Sequence, residues 1–194
     1  LAWEGARLAP EGGVTVLVDR PEDTGYFINY PSVLPEIERP EALFSDPVSL
    51  SRGDNLYDII IGRNIFTKED KSALFNALYS LMDKDGKGVF AQIVPCYSTR
   101  LSDIVGNRLS EEELSGLVCC EEKIYSGADN LLMNWNEETL SRTARQCGFE
   151  VRCRLRSFTE KRFITERDAE NWFDVSRKDS YGSGLKEMPL LAEK

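Results

Sequence analysis

Short apolar runs alternate with amphipathic stretches along this chain, and that alternation predicts strands interleaved with helices. Six runs of β-branched and apolar residues, each bounded by turn residues, predict strands. They lie at Val14 to Val18, Ala42 to Phe44, Tyr57 to Ile61, Gly88 to Val94, Glu150 to Arg156 and Arg162 to Thr165. Three of them (VTVLV, YDIII and VFAQIV) have a continuous apolar character, so we expect central strands buried on both faces, because a half-exposed strand alternates.

Helix signals fall between most of the predicted strands. Residues 1–9 predict a short helix, and the stretch from Thr67 to Asp70 has the form of a capping box. Apolar residues at helical spacing follow that box, and Gly86 is expected to end this segment in a turn. Three more helices are predicted from their caps, at Ser110 with Glu113, at Asn136 with Gly148 as its stop, and at Thr165 with Asp168.

This order of elements predicts an α/β fold with a mostly parallel, twisted sheet and helices on both faces. The last two strands are separated only by Ser157 to Lys161, which is too short for a crossover helix. We therefore expect them to form a C-terminal antiparallel hairpin. Residues 1–175 are predicted to form the α/β domain, and residues 176–194 are expected to form a flexible, loop-like tail that includes Tyr181.

Composition excludes several classes of function. The 194 residues contain no histidine, and the five cysteines form no C-x-x-C pair, so neither a zinc site nor a His-assisted triad is expected, and we predict no metal. No apolar run is long enough to span a membrane, and residues 1–13 do not have the pattern of a signal peptide. We therefore expect no membrane partner and a cytoplasmic location.

The formal net charge of −9 argues against binding nucleic acid by charge alone, but the charge is unevenly spread. Residues 142–162 contain seven basic and two acidic residues, whereas residues 1–60 contain eleven acidic and four basic ones. Arg152, Arg154 and Arg156 alternate with apolar residues, so a strand would present all three on one face. That face is predicted to contact DNA or a protein partner, or alternatively to be a solvated edge that prevents sheet association.

The block from Tyr57 to Val94 resembles class I S-adenosylmethionine-dependent methyltransferases in its succession of strand, capped helix, "KDGKGVF" turn and strand. The resemblance extends from about Trp3 to Thr165 and implies a Rossmann-like sheet. Within it, "YDIIIGRNIF" followed by a helix and "DKDGKGVF" is similar to chemotaxis-receptor glutamate methyltransferases. This likeness implies methylation of a protein glutamate as a third candidate function.

A second resemblance covers more of the chain. The segments "LAWEGARLAPEGGV", "DIIIGRNIF", "VPCYSTRLSDIV", "NWNEETL" with "CGF", and the late "RFIT" with "WF" are similar to the methyltransferase-like region behind AAA+ ATPases of the RarA/MgsA type. Those ATPases act in DNA replication and recombination. The resemblance implies an accessory domain attached to an upstream AAA+ ATPase domain, and Leu1 at the first position fits a processed chain or an excised fragment.

The methyltransferase resemblance assigns five residues to the cofactor S-adenosylmethionine. It implies that Asp19 binds the ribose hydroxyls, that Asp46 contacts the adenine amine, and that Gly62, Arg63 and Asn64 lie near the methionine part and the reacting methyl. Each also has a structural interpretation. Asp19 and Asp46 follow strands and precede turns, Gly62 is a candidate for positive φ, and a polar strand end explains the other two.

The chain departs from the methyltransferase pattern in its first strand and in its acceptor motif, and two hypotheses stay open. The first strand and its glycine-rich loop are absent from or upstream of this chain, since Gly12 and Gly13 are better explained as a helix stop. Asn64 to Thr67 lacks both prolines of the D/N-P-P-Y/F motif, and Cys96 is expected to be a small buried residue. Trp135 is expected to be a core or interface aromatic. The domain either transfers a methyl group or is a degenerate, non-catalytic interaction domain.

Overall fold

The computed structural model describes residues 2–9, 11–29, 39–50, 56–67, 70–127, 130, 132–159, 161, 163–177 and 180–186. The chain divides into two compact units. The first comprises Leu1–Ile60 with Ala73–Lys87, and the second comprises Ile61–Ser72 with Gly88–Lys194.

The first unit contains a parallel strand pair with short helices around it. Its elements are α1 (Ala2–Leu8), β1 (Thr15–Val18), α2 (Thr24–Asn29) and β2 (Glu41–Phe44). β1 and β2 run in parallel, with Thr15 opposite Glu41 and Val18 opposite Phe44. These positions confirm the first two predicted strands and the N-terminal helix. Trp3 of α1 stacks on Phe27 of α2 with ring centroids 5.8 Å apart, which ties the two helices together.

Two further strands, β3 (Tyr57–Arg63) and β4 (Met82–Ala91), form a second two-stranded sheet, with α3 (Lys71–Leu81) between them along the chain. The existence of all three elements is confirmed, but their ends differ from expectation. β4 follows α3 directly, so the expected turn around Gly86 is wrong. Gly86 lies in the strand, where an added Cβ would be 3.0 Å from the Tyr57 carbonyl oxygen. Residues 68 and 69 of the predicted capping box lie outside the described residues.

Several strand residues predicted to be buried on both faces are exposed. Ile59 and Ile61 of β3 are 59% and 56% exposed, and Val89 of β4 and the following Ile93 are 58% and 61% exposed. Each sheet in the described part of the chain has only two strands. The expectation of full burial is wrong because a two-stranded sheet leaves apolar side chains without a covering layer. The described residues form a mixed α/β protein with short parallel strand pairs.

The remaining helices belong to the second unit: α4 (Leu101–Val105), α5 (Glu111–Ser126), α6 (Glu137–Gln146), α7 (Glu166–Trp172) and α8 (Tyr181–Lys186). The predicted N-caps of α5, α6 and α7 are confirmed. The side chains of Ser110, Asn136 and Thr165 accept the backbone N–H of the residue three positions later. Gly148 follows α6 with a φ of 99°, the left-handed conformation expected of a helix stop.

Two predictions for the C-terminal third are wrong. Residues 150–159 have no regular secondary structure and residues 163–165 are irregular, so the antiparallel hairpin does not form in the described residues; Arg162 lies outside them. The segment follows Gly148 without a paired partner strand, and its alternating pattern alone does not fix a strand. The tail is not wholly loop-like either, because residues 181–186 form α8 and Tyr181 is buried.

Each unit has its own apolar core. In the first, α3 buries Leu74, Phe75, Leu78 and Leu81, whose spacing places them on one helix face. In the second, the buried cluster comprises Leu117, Cys120, Ile124 and Tyr181, with partly buried apolar side chains from α4, α7 and α8 around it. The second core therefore depends on the docking of α8 against α5.

Because α8 packs closely on α5, we expect a single methyl group added at their contact to destabilise the protein. A Cβ added at Gly184 would overlap the Cys120 sulfur, which is fully buried. We expect Gly184→Ala to lower the free energy of unfolding by roughly 1 to 3 kcal/mol, the usual cost of overpacking. Chemical denaturation measures this difference. Gly13→Ala is the matched control, because in the described part of the chain no heavy atom other than those of its sequence neighbours lies within 4 Å of the added Cβ.

A second substitution separates overpacking from a general loss of helix docking. Cys120→Ala removes the sulfur that an alanine at position 184 would meet. We expect the double variant to be less destabilised than the sum of the two single variants. Strictly additive losses of unfolding free energy would contradict a contact between residues 120 and 184.

Candidate functional site

Asp19 and Asp46, the predicted nucleoside-binding acids, follow the ends of two adjacent parallel strands. β1 ends at Val18 and β2 ends at Phe44, and these two residues are opposite each other in the register. Asp19 comes immediately after β1 and is exposed, and Asp46 comes two residues after β2. The structure therefore brings both acids to the carboxyl edge of the same strand pair, where ligands bind in open α/β sheets.

Asp46 also has the structural role that its position before Pro47 predicts. Its Oδ1 accepts the backbone N–H of Val48 at 3.0 Å, and it caps the short 3₁₀ turn Pro47–Ser49. The interpretation of Asp46 as a turn initiator is therefore confirmed. Its contact with an adenine amine stays a prediction, as does ribose binding by Asp19.

The left-handed backbone conformation that the sequence suggests for Gly62 occurs at Asn64 instead. Gly62 does not adopt positive φ; instead Asn64 does, with a φ of 54°. Asparagine tolerates that conformation better than most residues. Space is tight at Gly62, because an added Cβ would lie 2.9 Å from the Ile65 side chain and 3.1 Å from the Phe90 ring.

Asn64 holds the ends of β3 and β4 together, while Arg63 beside it is exposed. The Asn64 backbone N–H donates to the Ala91 carbonyl at 2.9 Å, and its side-chain oxygen accepts the Ile93 N–H at 3.0 Å. The carboxamide oxygen thus replaces a backbone acceptor where the ladder ends. The side chain positions the strand ends, and contact of residues 62–64 with a methyl donor stays a prediction.

The predicted basic ribbon is an exposed irregular segment. Arg152, Arg154 and Arg156 are all exposed, and Arg152 pairs only loosely with Glu150, at 3.8 Å. Phe158 and Phe163 in the same segment are 79% and 86% exposed. Since no strand forms here, the three guanidinium groups do not share a strand face, and that expectation is wrong. Basic and aromatic side chains nevertheless lie exposed together in one segment.

A buried carboxyl group that sequence analysis overlooked organises the second unit. Glu121 of α5 is only 4% exposed. Its Oε1 accepts the Ser102 N–H at 3.0 Å and the Tyr181 hydroxyl at 3.1 Å, and its Oε2 accepts the Ser102 hydroxyl. The Tyr181 oxygen in turn accepts the Leu101 N–H at 3.2 Å. These bonds satisfy a buried acid with donors from α4 and α8.

Arg100, just before α4, is held from two directions. Its guanidinium carbon lies 3.4 Å from the centroid of the Tyr125 ring, and its Nη2 donates to the Cys96 carbonyl at 3.2 Å. Its Nη1 is buried and has no hydrogen-bond partner among the described residues. A buried guanidinium N–H without an acceptor lowers the free energy of unfolding.

Cys96, expected to be a small buried residue, is only partly buried. Burial raises the pKa of its thiol, the nearby Glu137 carboxyl raises it further, and Arg100 lowers it. A raised pKa keeps the group protonated and unsuited to nucleophilic attack. Trp135 is buried, as expected of a core aromatic, and its indole N–H donates to the Leu132 carbonyl at 2.7 Å.

The signal for Glu121 was present in the sequence. In α5 the buried positions are 117, 120, 121 and 124, one face at helical spacing, and a glutamate there interrupts an otherwise apolar stripe. An acid on a core-facing position needs donors from another element. The identity of those donors, Ser102 and Tyr181, depends on contacts 19 and 60 residues away along the chain and is not readable from local pattern.

Among the described residues, no group of three or more His, Cys, Asp or Glu side chains is arranged to hold a metal ion. In the same part of the chain, no helix has the length and hydropathy needed to cross a bilayer. Comparison with protein families, with curated proteins and with solved structures finds no match.

The hydrogen bond between Tyr181 and Glu121 predicts how stability depends on pH. Burial raises the pKa of Tyr181, and a hydrogen bond with Tyr125 raises it further, above the value of about 10 for an unfolded tyrosine. The contribution of the protonated hydroxyl is fully present below pH 10 and is lost as the pH rises through the folded pKa. Tyr181→Phe should cost about 1.5 to 3 kcal/mol at pH 7, because it removes a donor from a buried acid.

Chemical denaturation of the wild-type protein and of Tyr181→Phe at several pH values tests this pH dependence. The difference in unfolding free energy between wild type and Tyr181→Phe should narrow above pH 10. Tyr79→Phe is the control, since Tyr79 is exposed on α3 of the first unit. A constant difference from pH 7 to pH 11 would show that the Tyr181 hydroxyl is not the titrating group.

Proposed function

We propose that this chain is a methyltransferase-like domain that binds S-adenosylmethionine at the carboxyl ends of β1 and β2. The observation that carries the proposal is the pairing of strands. In a doubly wound sheet of order 3-2-1-4-5, removal of strand 1 leaves two parallel pairs, 3-2 and 4-5. The pairs β2–β1 and β4–β3 match that pattern, with β1 to β4 as strands 2 to 5.

Exposure of apolar side chains supports the same interpretation. Ile59, Ile61 and Val89 lie on strands whose composition is that of central strands, yet all three are more than half exposed. Large apolar side chains gathered on strands are normally covered by another layer or another chain. An additional strand that carries the glycine-rich loop would complete a sheet of this class. The proposed position behind an AAA+ motor of the RarA/MgsA type rests on sequence resemblance alone.

The chemistry of Asp19 and Asp46 fits the nucleoside part of the cofactor. A carboxylate accepts hydrogen bonds from two adjacent ribose hydroxyls, and a second carboxylate accepts the adenine amine. β1 and β2 end opposite each other in the register, and one acid follows the end of each strand. The bound cofactor would supply a methyl group to a nucleophile. The role of this chain's own residues would be to bind and orient the nucleoside, since positioning is a large part of such a displacement.

Calorimetric titration with S-adenosylhomocysteine tests the proposal. We expect saturable binding that Asp19→Ala weakens at least about tenfold, because a charge-assisted hydrogen bond contributes about 1.5 to 3 kcal/mol. Asp46→Asn should also weaken binding while it retains the side-chain oxygen that caps residues 47–49. Glu41→Ala is the matched control, since it removes one exposed negative charge from the amino end of the same strand.

The titration is repeated with a longer protein in which a strand and a glycine-rich loop precede Leu1. Absence of binding in both proteins would refute the cofactor site. Binding that Asp19→Ala and Asp46→Asn leave unchanged would refute the two assigned acids.

A second candidate function is binding of single-stranded DNA by residues 152–163. The observation that favours it is the joint exposure of three arginines with Phe158 and Phe163. Proteins that track single strands combine cations for the phosphates with aromatic rings on which bases stack. This function does not require the methyl donor, so it belongs to a non-catalytic interaction domain with the same fold.

Fluorescence anisotropy with a labelled oligothymidylate tests this second function. Replacing Arg152, Arg154 and Arg156 by alanine should weaken binding and lower the slope of log affinity against log salt by about 2, at about 0.7 per phosphate contact on a single strand. The control replaces Arg7, Arg20 and Arg142, which pair with acids within their own elements or turns. Equal effects of the two triple variants would refute a specific role for residues 152–156.

A further inference from the structure

We propose that the segment after α6 binds the surface of an anionic lipid bilayer, with its basic side chains at the headgroups and its apolar side chains just below them. The segment comprises residues 152–159, 161, 163 and 164 of the second unit, and these residues form no helix or strand. The inference does not rest on methyl transfer or on DNA binding. It departs from the sequence expectation of no membrane partner, which considered only spanning segments and signal peptides.

Four large apolar side chains of this segment are exposed. Leu155 is 51% and Ile164 is 41% exposed, and Phe158 and Phe163 between them are exposed more fully still. Single apolar side chains are ordinary on a protein surface, but four within ten residues mark a surface that binds a partner or a membrane. Bases stack on aromatic rings, so a single strand of DNA would account for the two phenylalanines. It would not account for the two aliphatic side chains.

The charges of the segment complement an anionic surface. From residue 150 to residue 164 the sequence has five basic and two acidic residues, a net charge of +3, in a chain whose net charge is −9. Each basic residue close to anionic lipid strengthens binding. At physiological salt the Debye length is about 8 Å, so acidic residues farther than this from the bilayer oppose binding little.

The arginines of the segment are available to lipid headgroups. Arg152, Arg154 and Arg156 are all exposed. Arg152 has only the loose pair with Glu150, and the other two form no salt bridge with another described residue. Long arginine side chains reach outwards to phosphate groups while their apolar neighbours point into the bilayer. An alternation of basic and apolar residues therefore suits the boundary between headgroups and acyl chains.

The irregular backbone of the segment favours a lipid surface over a folded protein partner. A protein interface has a well-packed core, and binding would have to order the segment into one complementary shape. A bilayer surface has no fixed shape and accepts aliphatic and aromatic side chains alike. Backbone groups outside a helix or strand need water, so the segment would lie in the hydrated interface and not in the hydrocarbon core. Such peripheral binding requires no membrane-spanning helix.

Co-sedimentation with large unilamellar vesicles tests the inference. One set of vesicles is pure phosphatidylcholine, and the other contains phosphatidylserine at about a third of the lipid, both at about 0.15 M salt. We expect the protein to partition at least tenfold more strongly into the anionic vesicles, and this preference should weaken as the salt concentration rises.

A double variant tests the apolar side chains at constant charge. Leu155→Ser combined with Ile164→Ser should lower partition into anionic vesicles at least tenfold, because it removes apolar surface that the bilayer would cover. Both residues are exposed, so the substitution leaves the core of the second unit intact. Ile104→Ser combined with Val175→Ser is the matched control, since both are exposed apolar residues elsewhere in that unit.

The triple alanine variant of residues 152, 154 and 156 tests the charges. It should lower partition about a hundredfold, at about fivefold for each basic residue near an anionic surface. The triple variant at Arg7, Arg20 and Arg142 is again the control for total charge.

Binding of labelled oligothymidylate by the same variants separates lipid from DNA. The serine double variant should leave oligothymidylate binding unchanged, because bases do not stack on aliphatic side chains. Failure of the protein to bind anionic vesicles would overturn the inference, whether or not it binds the oligonucleotide. Equal partition into both kinds of vesicle would refute the role of charge, and vesicle binding that the serine double variant leaves unchanged would refute insertion of the apolar side chains.

Discussion

The second unit depends on the cost of burying one carboxyl group. Glu121 sits on the core-facing side of α5, where an acid without donors would destabilise the fold by several kcal/mol. Ser102 and Tyr181 supply the donors, and the same two side chains bring α4 and α8 against α5. The acid thus adds a directional requirement that apolar packing lacks, because its hydrogen bonds constrain where the two flanking helices lie. Arg100, which precedes α4, takes its position beside Tyr125 as a result.

Helices were more predictable here than strands, for a physical reason. The capping residues Ser110, Asn136 and Thr165 act on backbone groups three residues away, so local sequence contains all the information. A strand needs a partner distant along the chain. The segment after Gly148 has a strand-like pattern but no partner strand in the described residues, and it remains irregular. β4 extends towards its N-terminus through a charged, glycine-containing stretch because β3 is available beside it.

The candidate sites were likewise predictable only where local sequence determines them. The apolar pattern was enough to predict that Asp19 and Asp46 each follow a strand, and the structure shows that these two strands are paired. It was not enough to predict that Asn64, and not Gly62, adopts the left-handed conformation, because that choice depends on the side-chain bond to Ile93. The exposure of Leu155 and Ile164 was not predictable, since the strand pattern around them suggested a paired hairpin.

Two adjacent cysteines give the chain a chemical reporter of its own folding. Cys119 is exposed and Cys120 is fully buried under α8, although the two thiols are neighbours in the sequence. An alkylating reagent therefore reaches the first thiol in the native protein and the second only when α8 has moved away. The ratio of singly to doubly labelled peptide measures how often the C-terminal helix is released, a local opening that global unfolding does not report.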